Sequence, residues 1–274
     1  MTRPVRHSVS RIARRDGGVT SGRRLVPEEV PVAFSLNGTT HAVMMASPGD
    51  LEDFAVGFAI TEGIIRSPGD IDEMTIEDHA EGIDIQIVLK EKANAAFEAR
   101  RRRMAGPVGC GLCGIESIEE ALRPVPDVEG KGITLDAANI ARAARLLSQH
   151  QPLNAETHAV HAAGFFARGK GIIAVREDVG RHNALDKLAG ALAREGTDGR
   201  SGAVVITSRV SVEMVQKTAA IGAAILLAVS APTALAIRTA EKAGMTLVAL
   251  VRGDDFEIFT HPDRIRTGAA AHVA

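Results

Sequence analysis

The 274-residue chain contains two cysteines, three positions apart in Gly109-Cys110-Gly111-Leu112-Cys113-Gly114. A CxxC pair serves three chemistries: thiol–disulfide exchange, zinc ligation, or formation of a persulfide that carries sulfur. The thiolate is the reactive form, and nearby cations or a helix N-terminus lower its pKa. Arg101, Arg102 and Arg103 precede the pair, and a short helix is predicted over Ser117–Leu122 just after it, so the setting is electropositive. Glycines at 106, 109, 111 and 114 free the backbone to swing, which suits a group carrier. The same glycines weaken a thioredoxin-like reading, in which the pair opens a helix within a βαβ unit.

Zinc has its own sequence logic. Nucleobase deaminases bind it with an H-x-E and a later P-C-x-x-C. Here His79-Ala80-Glu81 precedes the cysteines, but Pro107 is three residues before Cys110, and Glu81 runs into Gly82-Ile83-Asp84-Ile85, a turn and strand rather than a helix. His158-x-x-His161 is a second candidate for completing a site, with spacing tight for a Cys2His2 class. A catalytic pair, Cys110 and Cys113, with no resident metal is the preferred assignment.

A second polar concentration lies at Arg176-Glu177-Asp178-Val179-Gly180-Arg181-His182-Asn183-Ala184-Leu185-Asp186-Lys187, where a strand is predicted to give way to a helix. Helix N-termini present free N–H groups and positive potential to anions. Asp178, Arg181, His182, Asn183 and Lys187 are therefore candidate ligand-binding residues. Arg209 after one strand, Ser230 and Thr233 before a helix, and Arg252-Gly253-Asp254-Asp255 after another strand fall at the same predicted sheet edge. That edge suits a large phosphate-bearing ligand. It carries neither GxGxxG nor GxxxxGK[ST], which disfavours a standard dinucleotide or P-loop site.

The elements that must position these residues follow from periodicity. Val30–Ala33 and Thr40–Met45 read as a hairpin around Asn37-Gly38, followed by a helix with Leu51, Phe54, Ala55, Phe58 and Ala59 on one face. Ile83, Ile85, Ile87 and Leu89 alternate as a strand, and Lys90–Arg103 reads as a charged helix. A helix is predicted over Leu135–Ser148. Beyond it, strands at Gly171–Val175, Ala203–Thr207, Ile225–Val229, Thr246–Val251 and Phe256–Phe259 alternate with helices at Asn183–Arg194, Val212–Ile221 and Ala231–Lys242, the last capped by Ser230. This pattern predicts an α/β protein with a largely parallel sheet covered on both faces. The expected division is a disordered basic tail (1–24), a small α+β domain (25–105), the CxxC loop and a linker (106–132), and an α/β ligand-binding domain (133–274).

Composition narrows the classes. Net charge is −2, and aromatics are 3% with no Trp or Tyr, which disfavours nucleic-acid binding by field or by base stacking. The longest apolar run, 219–230, is too short to span a bilayer, and no secretory leader is evident. A cytoplasmic location is expected, without nucleic-acid or membrane partners.

Taken together, Glu177–Lys187, Cys110-Gly-Leu-Cys113-Gly114, Pro48-Gly-Asp-Leu-Glu-Asp-Phe-Ala-Val-Gly-Phe58 with Glu62-Gly-Ile-Ile65, Arg209-Val-Ser-Val-Glu-Met-Val-Gln-Lys217, Ser230-Ala-Pro-Thr233 and Thr246-Leu-Val…Arg252-Gly253 resemble, in order, the motifs of the FdhD family, the sulfurtransferase accessory proteins of formate dehydrogenase. The chain has Thr157-His158-Ala159-Val160-His161 where that family commonly has Thr-Gly-Gly-Val-His, and Thr207-Ser208-Arg209 where Ser-Gly-Arg is usual. The resemblance implies a cytidine-deaminase-like three-layer αβα domain and a homodimer. It implies that a cysteine desulfurase passes sulfur to Cys110 as a persulfide, with Cys113 assisting. The acceptor would be the bis-molybdopterin guanine dinucleotide molybdenum cofactor of formate dehydrogenase, bound as substrate, with GDP-like nucleotides as mimics and Leu250, Val251, Arg252, Gly253, Asp254 and Asp255 in the binding stretch. A cofactor-binding chaperone without sulfur transfer and a zinc-dependent deaminase remain the alternatives.

Overall fold

A computed structural model describes residues 3–104 and 124–268. The cysteine pair and the helix expected at Ser117–Leu122 lie outside the described residues.

The basic N-terminal residues form a hairpin, where a disordered tail was expected. Strands β1 (Arg6–Arg15) and β2 (Gly18–Pro27) pair antiparallel from Arg6↔Pro27 to Arg15↔Gly18. Asp16 and Gly17 both take positive φ at the turn, the conformation for which Asp-Gly is favoured in two-residue hairpins. The arginines interrupt the apolar alternation, so charge masked a turn signal that was present.

The next unit is a four-stranded sheet in the order β4-β3-β6-β5, built from β3 (Val30–Leu36), β4 (Thr39–Ala46), β5 (Ile71–His79) and β6 (Gly82–Leu89). Strand β5 was missed because it is acidic and exposed along most of its length. The inner face carries Val32, Phe34, Ile83, Ile85 and Ile87 against helix α1 (Leu51–Thr61) and Phe97 of helix α2 (Glu91–Met104). Phe34 meets the Phe54 edge at 4.9 Å and stacks on Phe58 at 4.2 Å, geometries that add to the burial of these rings. Of His79-Ala80-Glu81, His79 ends β5 opposite Gly82 and Ala80-Glu81 form the turn into β6.

The larger unit holds a six-stranded sheet, order β13-β12-β11-β10-β8-β9. Its strands are β8 (His161–Ala167), β9 (Gly171–Asp178), β10 (Gly202–Ile206), β11 (Ile225–Ala228), β12 (Thr246–Arg252) and β13 (Asp255–Thr260), with a two-residue strand pair, β7 (Leu135–Asp136) and β14 (Ile265–Arg266), alongside. Helix α3 (Ala137–Gln149) covers one face through Ile140, Ala143 and Leu147. Helices α5 (Arg181–Arg194), α6 (Val212–Ile221) and α7 (Ala234–Lys242) cover the other through Leu185, Leu188, Met214, Val215 and Ala236. A short helix α4 (Pro152–Thr157) precedes β8. The fold is mixed α/β.

The expected largely parallel sheet is corrected to a mixed one. Only β10–β11 and β11–β12 pair parallel; β8–β9, β8–β10 and β12–β13 are antiparallel. Two connections, residues 168–170 and 253–254, are too short for the crossover a parallel pair requires. Strand β8 went unseen because it is buried along almost its whole length and shows no alternation. The first turn of α7 also shifts: Thr233, not Ser230, is the N-cap, its hydroxyl accepting from the Ala236 amide at 3.2 Å.

Candidate functional site

Strand β8 runs opposite to both its neighbours, so β9 points the same way as β10, β11 and β12. Their carboxyl ends share one edge of the sheet, the region where ligands bind open α/β sheets. Helices α5, α6 and α7 begin there. The edge thus gathers Arg181 and His182, Arg209, Ser230 and Thr233, and the Arg252–Asp255 turn, as the sequence predicted.

The members divide into two kinds. Asp178, Asn183 and Lys187 are buried and fully engaged within the protein. Lys187 Nζ lies 2.6 Å from Asp178 Oδ2 and donates to the Ser47 carbonyl at 2.9 Å. Asn183 Nδ2 donates to Asp178 Oδ1 at 2.9 Å and to the Met45 carbonyl at 2.8 Å. The Ser47 and Gly180 amides complete the Asp178 carboxylate at 3.0 and 2.7 Å. These three residues clamp the β4–α1 connection to the start of α5 and do not face a ligand. Val251 is also reassigned, to the core, where it packs against the α3 side of the sheet.

The second kind is accessible. Arg209, Arg252, Gly253, Asp254 and Asp255 are exposed, while Arg181, His182, Ser230, Thr233 and Leu250 are half-buried. Leu250 adopts φ 56° and Gly253 φ 60°, so β12 kinks and turns at this edge, and the Leu250 amide donates to the Ser230 carbonyl at 3.3 Å. Among the described residues, the buried His182 Nε2 and Arg181 Nε have no hydrogen-bond partner. Neither Gly180 before α5 nor Ser211 before α6 caps its helix with a side chain. The Arg181 guanidinium and two helix starts without side-chain caps make this part of the edge receptive to an anion.

His182 is held neutral. Burial, reinforced by Arg181 and opposed by Glu213 at 3.8 Å, lowers its pKa from 6.5 to about 4. His161, at the start of β8, is depressed by burial and by the same Arg181. Just beneath lies a buried network that sequence reasoning missed. Lys217 Nζ is bonded to Asp186 (2.8 and 3.0 Å), Glu62 (2.8 Å) and Thr61 (3.0 Å), and Thr61 donates to Asp186 at 2.6 Å. Burial alone would depress the Lys217 ammonium, but Asp186 and Glu62 outweigh it and hold the ammonium above its ordinary range. Burial pushes Asp186 up, against the pull of Lys217 and Thr61. An ammonium shared by two carboxylates holds its proton tightly. The available sequence signal was Asp186 directly before Lys187 on an otherwise apolar helix.

His158 takes φ 54° at the end of α4, a left-handed position that glycine occupies at least cost. This chain accommodates histidine there instead. Nearby, a cavity of about 270 Å³ is lined by Ser47, Asp50, His150, Arg176 and Glu177 among others. Glu177 is held there by the Leu153 and Asn154 amides at 2.9 and 2.8 Å. Burial raises its pKa more than those bonds lower it.

A sequence model of the FdhD/NarQ family matches residues 27–266. The chain belongs to the FdhD/NarQ family. Sulfur carrier protein FdhD of Agrobacterium fabrum is 59% identical over 257 residues, covering 94% of this chain and 95% of the relative. That of Brucella abortus biovar 1 is 57% identical over 261 residues, covering 95% and 97%. A crystal structure described as a formate dehydrogenase accessory protein, from Desulfotalea psychrophila, superposes with TM-score 0.74 at 29% identity, covering 96% of this chain and all of that one. Among the described residues no helix is long and apolar enough to cross a membrane.

Proposed function

We propose that this FdhD/NarQ member is a cytoplasmic sulfur carrier, acting as a sulfurtransferase for formate dehydrogenase. The observation that carries the reading is near-full-length identity to proteins named sulfur carrier, in a chain that keeps Cys110-Gly-Leu-Cys113 as its two thiols. In the first step the Cys110 thiolate attacks the outer sulfur of a cysteine desulfurase persulfide. A new S–S bond forms on Cys110, the desulfurase thiolate leaves, and no external oxidant is needed. In delivery the Cys113 thiolate would attack the inner Cys110 sulfur, breaking the persulfide S–S bond and releasing the outer sulfur at the sulfide level to the molybdenum of the bis-guanine-dinucleotide cofactor, which is the substrate; the Cys110–Cys113 disulfide left behind would be reduced by a cellular dithiol before the next round.

The strand-end edge supports the second half. Arg181, Arg209 and Arg252 offer charge-assisted bonds to pyrophosphate, and the uncapped starts of α5 and α6 add backbone donors. Ser230, Thr233, neutral His182 and the 250–255 turn supply polar and shape contacts for a guanine nucleotide. Asp178, Asn183 and Lys187 act one layer below, fixing where α5 begins.

Mass spectrometry after incubation with a cysteine desulfurase and free cysteine tests the reading. The expected result is a gain of one sulfur atom on Cys110, absent in Cys110→Ala, together with an inactive formate dehydrogenase when that variant is co-expressed with it. A fully active formate dehydrogenase alongside Cys110→Ala overturns the proposal. Cofactor binding without any gain of sulfur would instead indicate a chaperone.

A further inference from the structure

The β1–β2 hairpin leaves the body of the protein as an arm. Its base is held by the ion pair of Arg6 with Glu156 at 2.6 Å and by Arg24 donating to the Thr157 carbonyl at 3.0 Å. Arg24 stands opposite Val9, and the two strands run on from there to the Asp16-Gly17 turn. At about 3.4 Å per residue, the turn lies about 20 Å beyond the base.

This distal part is amphipathic. Directly opposed residues share a face of a ribbon. The register Ser10↔Arg23, Ile12↔Ser21 and Arg14↔Val19 therefore puts Ile12 and Val19 on one face, as diagonal neighbours, between Arg23 and Arg14. Ile12 is 78% and Val19 68% exposed. The other face carries Arg11 and Arg15. Arg23 folds back to donate to the Ser8 hydroxyl at 2.8 Å and the Ser8 carbonyl at 2.7 Å, uncharged partners that leave its charge in place.

Charge decides what such an arm can meet. Residues 9–24 hold five arginines and a single carboxylate, Asp16, a net +4. The whole chain is −2, which leaves −6 for the remainder. An anionic surface repels that body. Salt screens the repulsion over about 8 Å, so 20 Å out the arm's own positive charge sets the field. The chain-averaged charge, which disfavours a membrane partner, hides this separation. Aliphatic groups flanked by guanidinium groups match the interface of an anionic bilayer, where apolar atoms sink to headgroup depth and cations meet lipid phosphate. Nucleic acid would use the arginines but leave Ile12 and Val19 without a role, and the hairpin has no Phe, Trp or Tyr for bases to stack on.

We propose that the arm attaches this protein peripherally to the anionic surface of a lipid bilayer, with Ile12 and Val19 inserted at headgroup depth and Arg11, Arg14, Arg15 and Arg23 on the phosphates. The inference is independent of the sulfur-transfer reading, because the arm includes neither a cysteine nor any part of the strand-end edge.

Sedimentation of the full-length chain with vesicles tests it. One set is phosphatidylcholine alone, and the other is phosphatidylcholine and phosphatidylglycerol in equal parts. Binding to the second set only is expected. Arg14→Glu with Arg15→Glu, and separately Ile12→Ser with Val19→Ser, are each expected to weaken it about tenfold or more at an unchanged melting temperature. The chain has no tryptophan, so Ile12→Trp installs a single reporter. Its emission is expected to shift to the blue on anionic vesicles and to be quenched by brominated acyl chains, while Ile173→Trp on β9 does neither. Equal binding to both vesicle sets, binding to neither, or equal responses from the two tryptophans overturns the proposal. Full binding by Ile12→Ser with Val19→Ser also overturns it and points to a polyanion such as nucleic acid.

Discussion

Lys187 is the residue on which the site's position depends most. Its ammonium is enclosed beneath the strand-end edge, with the Asp178 carboxylate and the Ser47 carbonyl as partners and the Phe54 ring 5.4 Å away. Removing one partner of a buried pair strands the other, at a cost of about 3–5 kcal/mol. Lys187→Met is therefore expected to lower the unfolding free energy measured by denaturant titration by an amount of that order, and an unchanged midpoint would remove Lys187 from the clamp. His182 makes a different prediction. The unfolded chain takes up a proton near pH 6.5, whereas the folded imidazole resists until about 4. Between those values the unfolded state binds more protons, so stability falls as pH drops through the window and is level above it. The contribution is at most about 3 kcal/mol. His161 adds to it in the same direction. His182→Asn should flatten melting temperature against pH between 6.5 and 4. An identical slope in the variant would refute the depressed pKa.

Among the elements, the crossing of α1 with α5 sets how the two sheets sit together. Gly57 and Gly190 meet there: a Cβ on Gly57 would lie 1.7 Å from the Asp186 carbonyl oxygen, and one on Gly190 would lie 1.8 Å from that of Asp53. Only hydrogen fits at either position, so the two backbones touch. The approach brings Asp53 between Arg176 and Arg194, at 2.6 and 2.5 Å, and brings Thr61 and Glu62 to Lys217. Gly190→Ala must push the helices apart. Overpacking costs about 1–3 kcal/mol, and more where backbone must move, so a fall in melting temperature is expected despite alanine's better helix propensity. A variant at least as stable as wild type would show that the helices can separate freely. Helix α5 was legible in the sequence from Leu185, Leu188 and Leu192. Its second buried face, toward α1, was not, because glycine and a run of polar residues give no apolar stripe.

For the whole molecule, the division expected at about residue 105 is crossed by the Asp178–Lys187–Ser47 clamp, the Asp186–Lys217–Glu62 network and the Asp53 bridge, all joining residues 45–62 to residues 176–217. A chain tied this way unfolds as a unit. Calorimetry should give a single transition with equal calorimetric and van't Hoff enthalpies, and two resolved transitions would mean that the sheets melt separately.

The sequence by itself determined the spacing of the two cysteines, the family motifs, most helices and the strand-end edge. Each rests on local information: residue type, spacing, or periodicity along one element. The tertiary structure decided which polar residues of Asp178–Lys187 look outward. Lys187 and Arg181 are alike in charge along the chain; enclosure against Asp178 and the distant Ser47 on one side, and a half-buried place at the strand-end edge on the other, set them apart. It also decided the sheet's mixed direction, because a buried strand such as β8 carries no alternation to read. The pairing of the basic residues into an arm was local, signalled by Asp16-Gly17.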